Sequence, residues 1–383
     1  MNFDLTEEEK MLRDLARKYA EKEVKPIADE VDDKGEFPME LYKKAGELGL
    51  LGSFIPEKYG GGGMGFMSRA IIDEEISRVL AGFGVSVQSS SLYGGNNLMH
   101  LGTEEQKEKY LPGIASGDII ACWALTEPDV GSDAFGIKTN AVKDGDYYII
   151  NGSKTFITNA PVADMFIVIV KTSKEERSLT GATAFILERG MKGLSTSQPL
   201  KKLGVKSSPT GEITFEDVRV HKSQILGKEG EGFKGMLEHL DIERILTAAL
   251  YYGLAQACLE DSIAYANQRV QFNSPISKFQ LVKEKIANMI TGIELARTYT
   301  YKGIWMAEQG KNITLEASIA KYFSSEVAMQ SALDAVQIFG GYGLIKEYPV
   351  ERYLRDAKLF TIGGGTSEIQ KLVLAREAYK LYG

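Results

Sequence analysis

At 383 residues the chain exceeds a single ordinary core, and we expect two or three domains of about 100 to 200 residues each. Its composition, 44% hydrophobic and 25% charged, is typical of a globular protein in water. The formal net charge of −7, with Lys and Arg interspersed among Asp and Glu, argues against a nucleic-acid-binding or membrane-surface protein.

The first third of the chain has helical patterning. Thr6 and Glu9 have the spacing of a capping box, and apolar residues recur at three- and four-residue intervals over 6–30. Further helices are predicted at 40–50, 68–81 and 104–111, and we predict an all-helical N-terminal domain over residues 1–120. The opening MNFDLTEEEK lacks the basic flank and apolar run of a secretory or transit peptide, and we expect a cytoplasmic location.

After about residue 120 the apolar period changes from helical to alternating. Apolar residues alternate on both sides of Asn151-Gly152, which predicts a β-hairpin with its turn there. Three more strands are predicted at 165–171, 182–188 and 212–220. These short strands predict a small antiparallel sandwich or barrel as a middle domain over residues 121–230.

Helical patterning returns in four long stretches, at 235–268, 279–309, 314–340 and 366–380. They predict an antiparallel four-helix bundle over residues 231–383, and an α+β fold for the whole chain. The uncharged stretch 245–259 is shorter than the roughly 18 to 20 residues that a membrane span needs. We therefore predict a core helix there and no membrane span.

Most catalytic chemistries find no support in the sequence. Cys122 and Cys258 lack CxxC spacing, and His100, His221 and His239 are scattered, so we expect neither a disulfide nor a metal site. No GxSxG elbow, P-loop or Rossmann fingerprint is present. What remains are the Gly, Ser and Thr clusters LTEPDVGSD, QIFGGYG and GGGTSEIQ, which suit a large phosphorylated cofactor because exposed backbone N–H groups and a helix N-terminus bind anions.

Three long motifs carry a resemblance to a known family. ALTEPDVGSDAFGIKT, YYIINGSKTFITNA and QIFGGYGLIKEYPVERYLRDAKLFTIGGGTSEIQ, in this order, resemble the acyl-CoA dehydrogenase family over almost the whole chain. The resemblance implies the same three-domain order, one FAD per subunit and a homotetramer built as a dimer of dimers. It also implies an acyl-CoA substrate and electron transfer to an electron-transfer flavoprotein.

The same resemblance implies site residues by position. Contacts to the flavin ring and pyrophosphate fall on Leu125, Thr126, Gly131, Ser132, Phe156, Ile157 and Thr158. Contacts to the FAD of a neighbouring subunit fall on Arg269, Gln271, Phe272, Gln280, Gln337, Gly340 and Gly341, and contacts at a helix start fall on Thr366 and Glu368. Contacts to the substrate fall on Ser132, Asp241, Arg244 and Gly365.

The catalytic base departs from the commonest family pattern. Many members have a tyrosine and the catalytic glutamate where this chain has Gly363 and Gly364. In the isovaleryl-CoA and long-chain subgroup the base instead precedes an arginine on a bundle helix, and LDIERILTAA places Glu243 before Arg244 in that position. We expect Glu243 to be the base for α,β-dehydrogenation. The structural alternative is a helix-surface glutamate paired with Arg244 or near His239.

Other activities of the same fold stay open at this point. A flavin oxidase or monooxygenase would use oxygen, an enoyl-CoA reductase would run the reaction backwards, and a protein without a base would bind FAD without turnover. For the substrate we expect a short, branched or cyclic acyl group. Segment 87–97, VQSSSLYGGNN, together with YYG at 251–253 is predicted to line its pocket.

Overall fold

Six α-helices form the N-terminal part of the computed structural model, which describes residues 4–173 and 178–383. They are α1 Glu7–Tyr19, α2 Ala28–Lys34, α3 Met39–Glu47, α4 Gly65–Gln88, α5 Asn97–Leu101 and α6 Glu104–Ser116. The capping box at Thr6 is confirmed, because Glu9 N donates to its hydroxyl at 3.2 Å and its own N–H donates to the Glu9 carboxylate at 2.7 Å.

The helical patterning predicted over 6–30 is confirmed, but it is not one continuous α-helix. The chain continues as a π-helical stretch, Ala20–Val24, and then as a 3₁₀ turn, Lys25–Ile27, before α2 begins. Pro26 lies in that turn and has no N–H with which to continue the α-helical hydrogen bonding. The first three residues of MNFDLTEEEK lie outside the described residues.

The middle part is a sheet of eight strands within the described residues. They are β1 Ala121–Ala124, β2 Asn140–Asp144, β3 Tyr147–Thr158, β4 Met165–Lys171, β5 Ala182–Glu188, β6 Leu194–Thr196, β7 Thr210–His221 and β8 Ile225–Leu226. The order β6-β7-β3-β2-β4-β5-β8 is antiparallel apart from the β2–β4 pair, and β1 pairs with β4 in parallel. The predicted strands at 165–171 and 182–188 coincide with β4 and β5.

The hairpin predicted at Asn151-Gly152 is wrong. Both residues lie inside β3, and the turn falls between β2 and β3, where Gly145 has a φ of +61°. Gly152 serves a close approach instead, because a Cβ there would lie 2.7 Å from Thr139 Cα. The register between β3 and β7 shifts at this point, as expected for a β-bulge.

The C-terminal part is helical, and its long helices match the predicted stretches. It contains α7 Gly232–Gln268, the hairpin β9 Val270–Gln271 and β10 Ser274–Pro275, α8 Gln280–Glu308, α9 Thr314–Phe339, α10 Val350–Phe360 and α11 Ser367–Tyr382. Helix α9 packs against α7, α8, α10 and α11. Helix α10 was not predicted. No helix within the described residues has the length and apolarity needed to cross a membrane.

Helix α4 packs against helices of the N-terminal part and also against the middle and C-terminal parts. It is buried over most of its length and contacts α1 and α7. A Cβ on Gly82 would lie 2.4 Å from Ser207 Oγ, in the connection between β6 and β7. A Cβ on Gly253 of α7 would lie 2.5 Å from the Glu74 carbonyl oxygen. A Cβ on Gly82 would also lie 3.0 Å from the Val205 carbonyl carbon, so the glycine at each position allows a close approach of backbone.

The changes of architecture fall in two short connections. The first lies between Ser116 and Ala121, and the second between Leu226 and Gly232. The boundaries proposed from the sequence, after residues 120 and 230, lie in these connections.

Candidate active site

Glu243 lies in the first third of α7 and is 2% exposed. Asn97 Nδ2 donates a hydrogen bond to its Oε1 at 2.6 Å. Burial raises the pKa of Glu243 to about 8, although the Asn97 hydrogen bond and the Arg244 charge oppose that shift. The alternative of a surface glutamate paired with Arg244 is therefore wrong, since Arg244 instead lies 3.6 Å from the Asp241 carboxylate.

The three glycines at 363–365, called here the glycine loop, lie just before α11 and contact α7 at Arg244. Arg244 Nε donates to the Gly364 carbonyl oxygen at 3.5 Å, and a Cβ on Gly365 would lie 3.5 Å from Arg244 Nη2. The φ angles of Gly364 and Gly365 are +68° and +94°, which glycine adopts without strain. The structure thus places the glycine loop, which lacks the glutamate found there in many family members, beside Arg244, the residue after Glu243.

A chain of polar side chains runs from Glu243 into α4. Thr247 Oγ1 lies 2.6 Å from the Glu243 carbonyl oxygen and 2.9 Å from Gln88 Oε1. Gln88 Nε2 donates to Asp73 Oδ2 at 2.6 Å, and Asp73 forms a fully buried ion pair with Arg69 at 2.6 Å. These groups hold the interior next to Glu243 in a polar, ordered arrangement.

The loop after β1 carries the first predicted flavin contacts. Leu125 and Thr126 are partly exposed, and Gly131 and Ser132 are exposed. Thr155 N donates to the Thr126 carbonyl oxygen at 2.9 Å. This bond places the start of the loop beside the C-terminal end of β3, where the next predicted flavin contacts lie.

A buried ion pair anchors this loop. Lys154 Nζ donates to the Leu125 carbonyl oxygen at 2.9 Å and to Glu127 Oε1 at 2.9 Å, and Lys154 is fully buried. The Glu127 carboxylate also accepts the backbone N–H groups of Lys138 and Thr139, at 2.6 and 3.0 Å. Glu127 therefore ties the two ends of the loop together.

Phe156 is displayed by a strained backbone. Its φ is +56°, which is rare for an aromatic residue, and its side chain is 67% exposed. The register of β3 against β7 shifts between Lys154 and Ile157, which turns Phe156 outward while Ile157 stays buried. Thr158, partly exposed, ends the strand opposite Thr210. An exposed ring on a strained segment suits contact with a planar ligand.

A second cluster forms where the β9–β10 hairpin meets the end of α9. A cavity of about 560 Å³ is lined there by Arg269, Gln271, Gly340 and Gly341, four of the predicted contacts to a neighbouring subunit's FAD. The Arg269 guanidinium lies 5.5 Å from the Tyr342 ring centre. The volume, the arginine and the open backbone at the two glycines fit one end of a dinucleotide.

The other three predicted neighbour contacts do not line this cavity. Phe272 and Asn273 form the hairpin turn with φ of +49° and +58°, and the Phe272 side chain is 90% exposed. Gln280 is the first residue of α8, and Gln337 lies in the last turn of α9; both are exposed.

The start of α11 carries the last predicted cofactor contacts. Thr366 is the N-cap, and its hydroxyl accepts from Ile369 N at 3.3 Å. Glu368 is exposed in the first turn. Among the predicted substrate contacts, Asp241 accepts a hydrogen bond from Thr314 Oγ1 at 2.6 Å, and its partner Arg244 is partly buried.

Several residues of this site escaped sequence reasoning. Asn97 and Gln88 fell inside the segment predicted to line the acyl pocket, but neither carried a signal of its own. Three more residues lie within the motifs, but the predicted contacts fall on their neighbours: Thr247, Lys154 and Glu127. Each acts through a partner that is distant along the chain, as in the pair Asn97 and Glu243, which are 146 residues apart.

Comparison with known proteins assigns the chain to a class. The N-terminal, middle and C-terminal domain profiles of acyl-CoA dehydrogenases match residues 6–118, 122–218 and 230–379. The relative named "Probable acyl-CoA dehydrogenase YngJ" from Bacillus subtilis is 46% identical over 99% of this chain and 100% of its own length. The 3-(aryl)acrylate reductase of Clostridium sporogenes is 44% identical over 98% of this chain and 99% of its own length.

Solved structures agree with these relatives. Butyryl-CoA dehydrogenase from Megasphaera elsdenii has a TM-score of 0.96 at 41% identity, covering 99% of this chain and 100% of its own. A chain in the structure of the electron transferring flavoprotein of Acidaminococcus fermentans has a TM-score of 0.96 at 42% identity, covering 99% of both chains. Fold and site together define a flavin-dependent oxidoreductase that acts on CH–CH bonds. The chain belongs to the acyl-CoA dehydrogenase family, and its cofactor is FAD.

Proposed function

We propose that this protein dehydrogenates an acyl-CoA thioester between Cα and Cβ, with Glu243 removing the Cα proton. Bound FAD would supply the acceptor, at flavin N5, for the hydride that leaves Cβ. The observation that carries the proposal is the buried Glu243 carboxylate on α7, next in sequence to Arg244, whose Nε donates to the Gly364 carbonyl oxygen of the glycine loop. A buried carboxylate with a raised pKa is a stronger base than an exposed one, which suits removal of a weakly acidic proton. Substitution of Glu243, argued in the Discussion, is the test.

The glycine loop has a part in this arrangement. A Cβ on Gly364 would meet only the Lys321 side chain, at 4.0 Å, so the loop leaves space where other family members carry the base. We assign contacts to the CoA thioester to Ser132, Asp241, Arg244 and Gly365. Arg244 contacts both the loop and Asp241, and it can hold these two assigned substrate contacts in place relative to each other.

We assign the cofactor to two groups of residues. The isoalloxazine end is held within one subunit by the loop after β1, the end of β3 and the start of α11, that is by Leu125, Thr126, Gly131, Ser132, Phe156, Ile157, Thr158, Thr366 and Glu368. The adenosine end is held by a neighbouring subunit through the cavity and its rim, that is by Arg269, Gln271, Phe272, Gln280, Gln337, Gly340 and Gly341.

A shared cofactor site requires assembly, and we propose a homotetramer. Light scattering of the FAD-bound protein should give a mass near four times 42.1 kDa. Arg269→Ala should weaken FAD binding by about 10- to 100-fold, because it removes a charged hydrogen-bond donor from the cavity. Lys278→Ala, exposed on the same connection but outside the cavity lining, should leave affinity unchanged. A monomer saturated with FAD would refute the shared site.

We further propose an electron-transfer flavoprotein as the electron acceptor. The similarity to a chain in the structure of the electron transferring flavoprotein of Acidaminococcus fermentans supports this assignment. A cytoplasmic location stays a prediction from the sequence.

For the substrate we propose a short, branched or cyclic acyl group. Within segment 87–97, Ser90 and Gly94 are used against β1: Ala121 N donates to Ser90 Oγ at 2.9 Å, and a Cβ on Gly94 would lie 2.4 Å from Ala121 Cβ. The small residues therefore serve backbone packing, and the side of the segment that contacts α7 presents Gln88 and Asn97. Hydrogen-bonded amide side chains so near the base make the surroundings of Glu243 polar, which favours a compact acyl group over a long aliphatic chain.

A second candidate is the reverse reaction, reduction of an enoyl-CoA. The observation that favours it is the Glu243 pKa of about 8, because the carboxyl is then mostly protonated at neutral pH and can donate a proton to Cα. The similarity to the 3-(aryl)acrylate reductase of Clostridium sporogenes supports an unsaturated substrate of that kind.

Anaerobic flavin spectra should separate the two directions. Oxidised enzyme is mixed with butyryl-, isobutyryl-, isovaleryl-, octanoyl-, glutaryl- and cyclohexanecarboxyl-CoA, and reduced enzyme with crotonyl- and cinnamoyl-CoA. We expect bleaching by one of the compact saturated thioesters, with a rate that rises as pH rises through about 8. Reoxidation by an enoyl-CoA without bleaching by any saturated thioester, at a rate that falls over the same range, would favour the reductase instead. Failure of every thioester to change the flavin would contradict both candidates, and rapid reoxidation by air would indicate an oxidase.

A further inference from the structure

Asn97 is the one side chain, within residues 4–173 and 178–383, that donates a hydrogen bond to the Glu243 carboxylate. Its Nδ2 lies 2.6 Å from Glu243 Oε1, in a contact between α5 and α7. Asn97 is fully buried, so water does not compete for this bond. Hydrogen bonds to an ionised group in such surroundings are among the strong ones in proteins.

Asn97 is itself held in place by the backbone. Nδ2 also donates to the Tyr93 carbonyl oxygen at 2.8 Å, one turn earlier. Tyr93 lies in the π-helical stretch Ser89–Asn96, and Asn97 is the first residue of α5. A π-helical stretch changes the direction of the side chains that follow it and is frequent at functional sites. Asn97 Oδ1 is buried and has no partner in the part of the chain that the structure describes, which is the expected cost of turning the amide nitrogen toward the carboxylate.

Few charged groups compete with Asn97 for the carboxylate. Arg244, on the same helix, is committed to Asp241 and the loop carbonyl. Lys321 of α9 donates to the Phe360 carbonyl oxygen at 3.0 Å. The Tyr93 hydroxyl, from the stretch before α5, stays neutral because burial and the Glu243 charge raise its pKa.

One turn earlier on α7 lies a histidine pair, which adds no charge near Glu243. The rings of His239 and His100 are stacked with their centres 4.4 Å apart. Burial and the neighbouring ring lower the pKa of His239 to about 4, so it is uncharged at neutral pH.

We propose that Asn97 is a positioning residue that fixes the orientation of the Glu243 carboxylate toward the substrate Cα. The inference rests on the proposed role of Glu243 as the base. Asn97 does not touch the reacting atoms in this account. It stabilises the ionised carboxylate and restricts its rotation, so its loss changes both the pH at which the base forms and the rate at which it acts.

Two variants test the inference in the FAD-bound enzyme. Asn97→Leu removes the donor, and the midpoint of the pH profile for anaerobic flavin reduction should move up by about one to two pH units. Asn97→Asp preserves the shape and should move the midpoint in the same direction, because two carboxyl groups at this distance share a proton. At the high-pH plateau both variants should recover to within about tenfold of wild type, since the base itself is intact.

The controls separate positioning from folding and from the role of Glu243. Asn96→Leu, at the fully buried neighbouring asparagine whose side chain has no hydrogen-bond partner among the described residues, should leave the midpoint unchanged. Adding Asn97→Leu to Glu243→Gln should have no further effect on the rate. If Glu243→Gln is slow but both Asn97 variants keep the wild-type midpoint, the positioning role is refuted while the proposed function stands. If Glu243→Gln reduces flavin at the wild-type rate, the proposed function fails first.

Discussion

Glu243→Gln should slow flavin reduction by a good acyl-CoA substrate by about 100- to 10,000-fold, the range found when a general base is lost. Glutamine keeps the volume of the buried side chain and can still pair with Asn97, but it has no anion to accept the Cα proton. Binding of acyl-CoA should change little, since the contacts assigned to the thioester lie on other residues. Anaerobic stopped-flow absorbance of the flavin measures this rate directly.

A matched control lies on the same helix. Glu238→Gln makes the same chemical change at an exposed position of α7, and its rate should equal that of wild type. If Glu243→Gln stays within about threefold of wild type, a margin far below the general-base effect, Glu243 is not the base. His239, one turn earlier, would then be the next candidate to test.

The pH profile of the wild type gives an independent reading of the same residue. Only the ionised carboxylate can accept a proton, so reduction of the flavin should accelerate as pH rises through about 8 in the unliganded site.

Gly364→Glu, added to Glu243→Gln, offers a carboxylate from the loop side. Its recovery should be partial at best, because a φ of +68° strains any residue with a side chain.

Lys154→Met should destabilise the protein by about 3 to 5 kcal/mol, the cost of leaving one partner of a buried ion pair unpaired. Lys154 is fully buried, and burial lowers its pKa to about 8, so at neutral pH it remains mostly charged against Glu127. Methionine fills the same space but leaves the Glu127 carboxylate and the Leu125 carbonyl oxygen without their shared donor. Urea unfolding followed by circular dichroism measures the loss.

The FAD content of the purified protein should show the effect of the same substitution on the loop after β1. Because Lys154 fixes the start of the loop, Lys154→Met should also purify with less FAD than wild type. Glu127→Gln added to Lys154→Met removes the uncompensated charge, and it should restore more than half of the lost stability. A single variant within about 1 kcal/mol of wild type, the size of an ordinary hydrogen bond, and with full FAD content would contradict the anchoring role.

Local sequence patterns predicted much of the fold. The strands β4 and β5 were predicted to the residue because each is a continuous apolar run bounded by charges and turns, and the uncharged run 245–259 was correctly predicted as a core helix. The Asn151-Gly152 hairpin failed because this pair also suits a bulge, and only the approach of Thr139 decides between them. Helix α10 was not predicted, although Val350, Tyr353, Ala357 and Phe360 have helical spacing. The helix lies inside the long C-terminal motif, which was interpreted as a cofactor-binding segment.

The candidate site shows a different limit. Glu243 and the glycine loop were paired by resemblance before any geometry was known, and the structure places them together through Arg244. Asn97 could not be found in that way, because its significance comes from a contact 146 residues away along the chain. A buried amide gives no pattern in a sequence, whereas a glycine triplet or a helix cap does.

The position of α4 has a consequence for how this chain is made. The Ser207 hydroxyl of the middle part closely approaches Gly82 of α4, and Gly253 of the C-terminal part closely approaches the Glu74 carbonyl oxygen of α4. During synthesis, α4 leaves the ribosome before Gly253 is made. We therefore expect α4 to complete its packing only after Gly253 has emerged, so that the three architectural parts finish folding together.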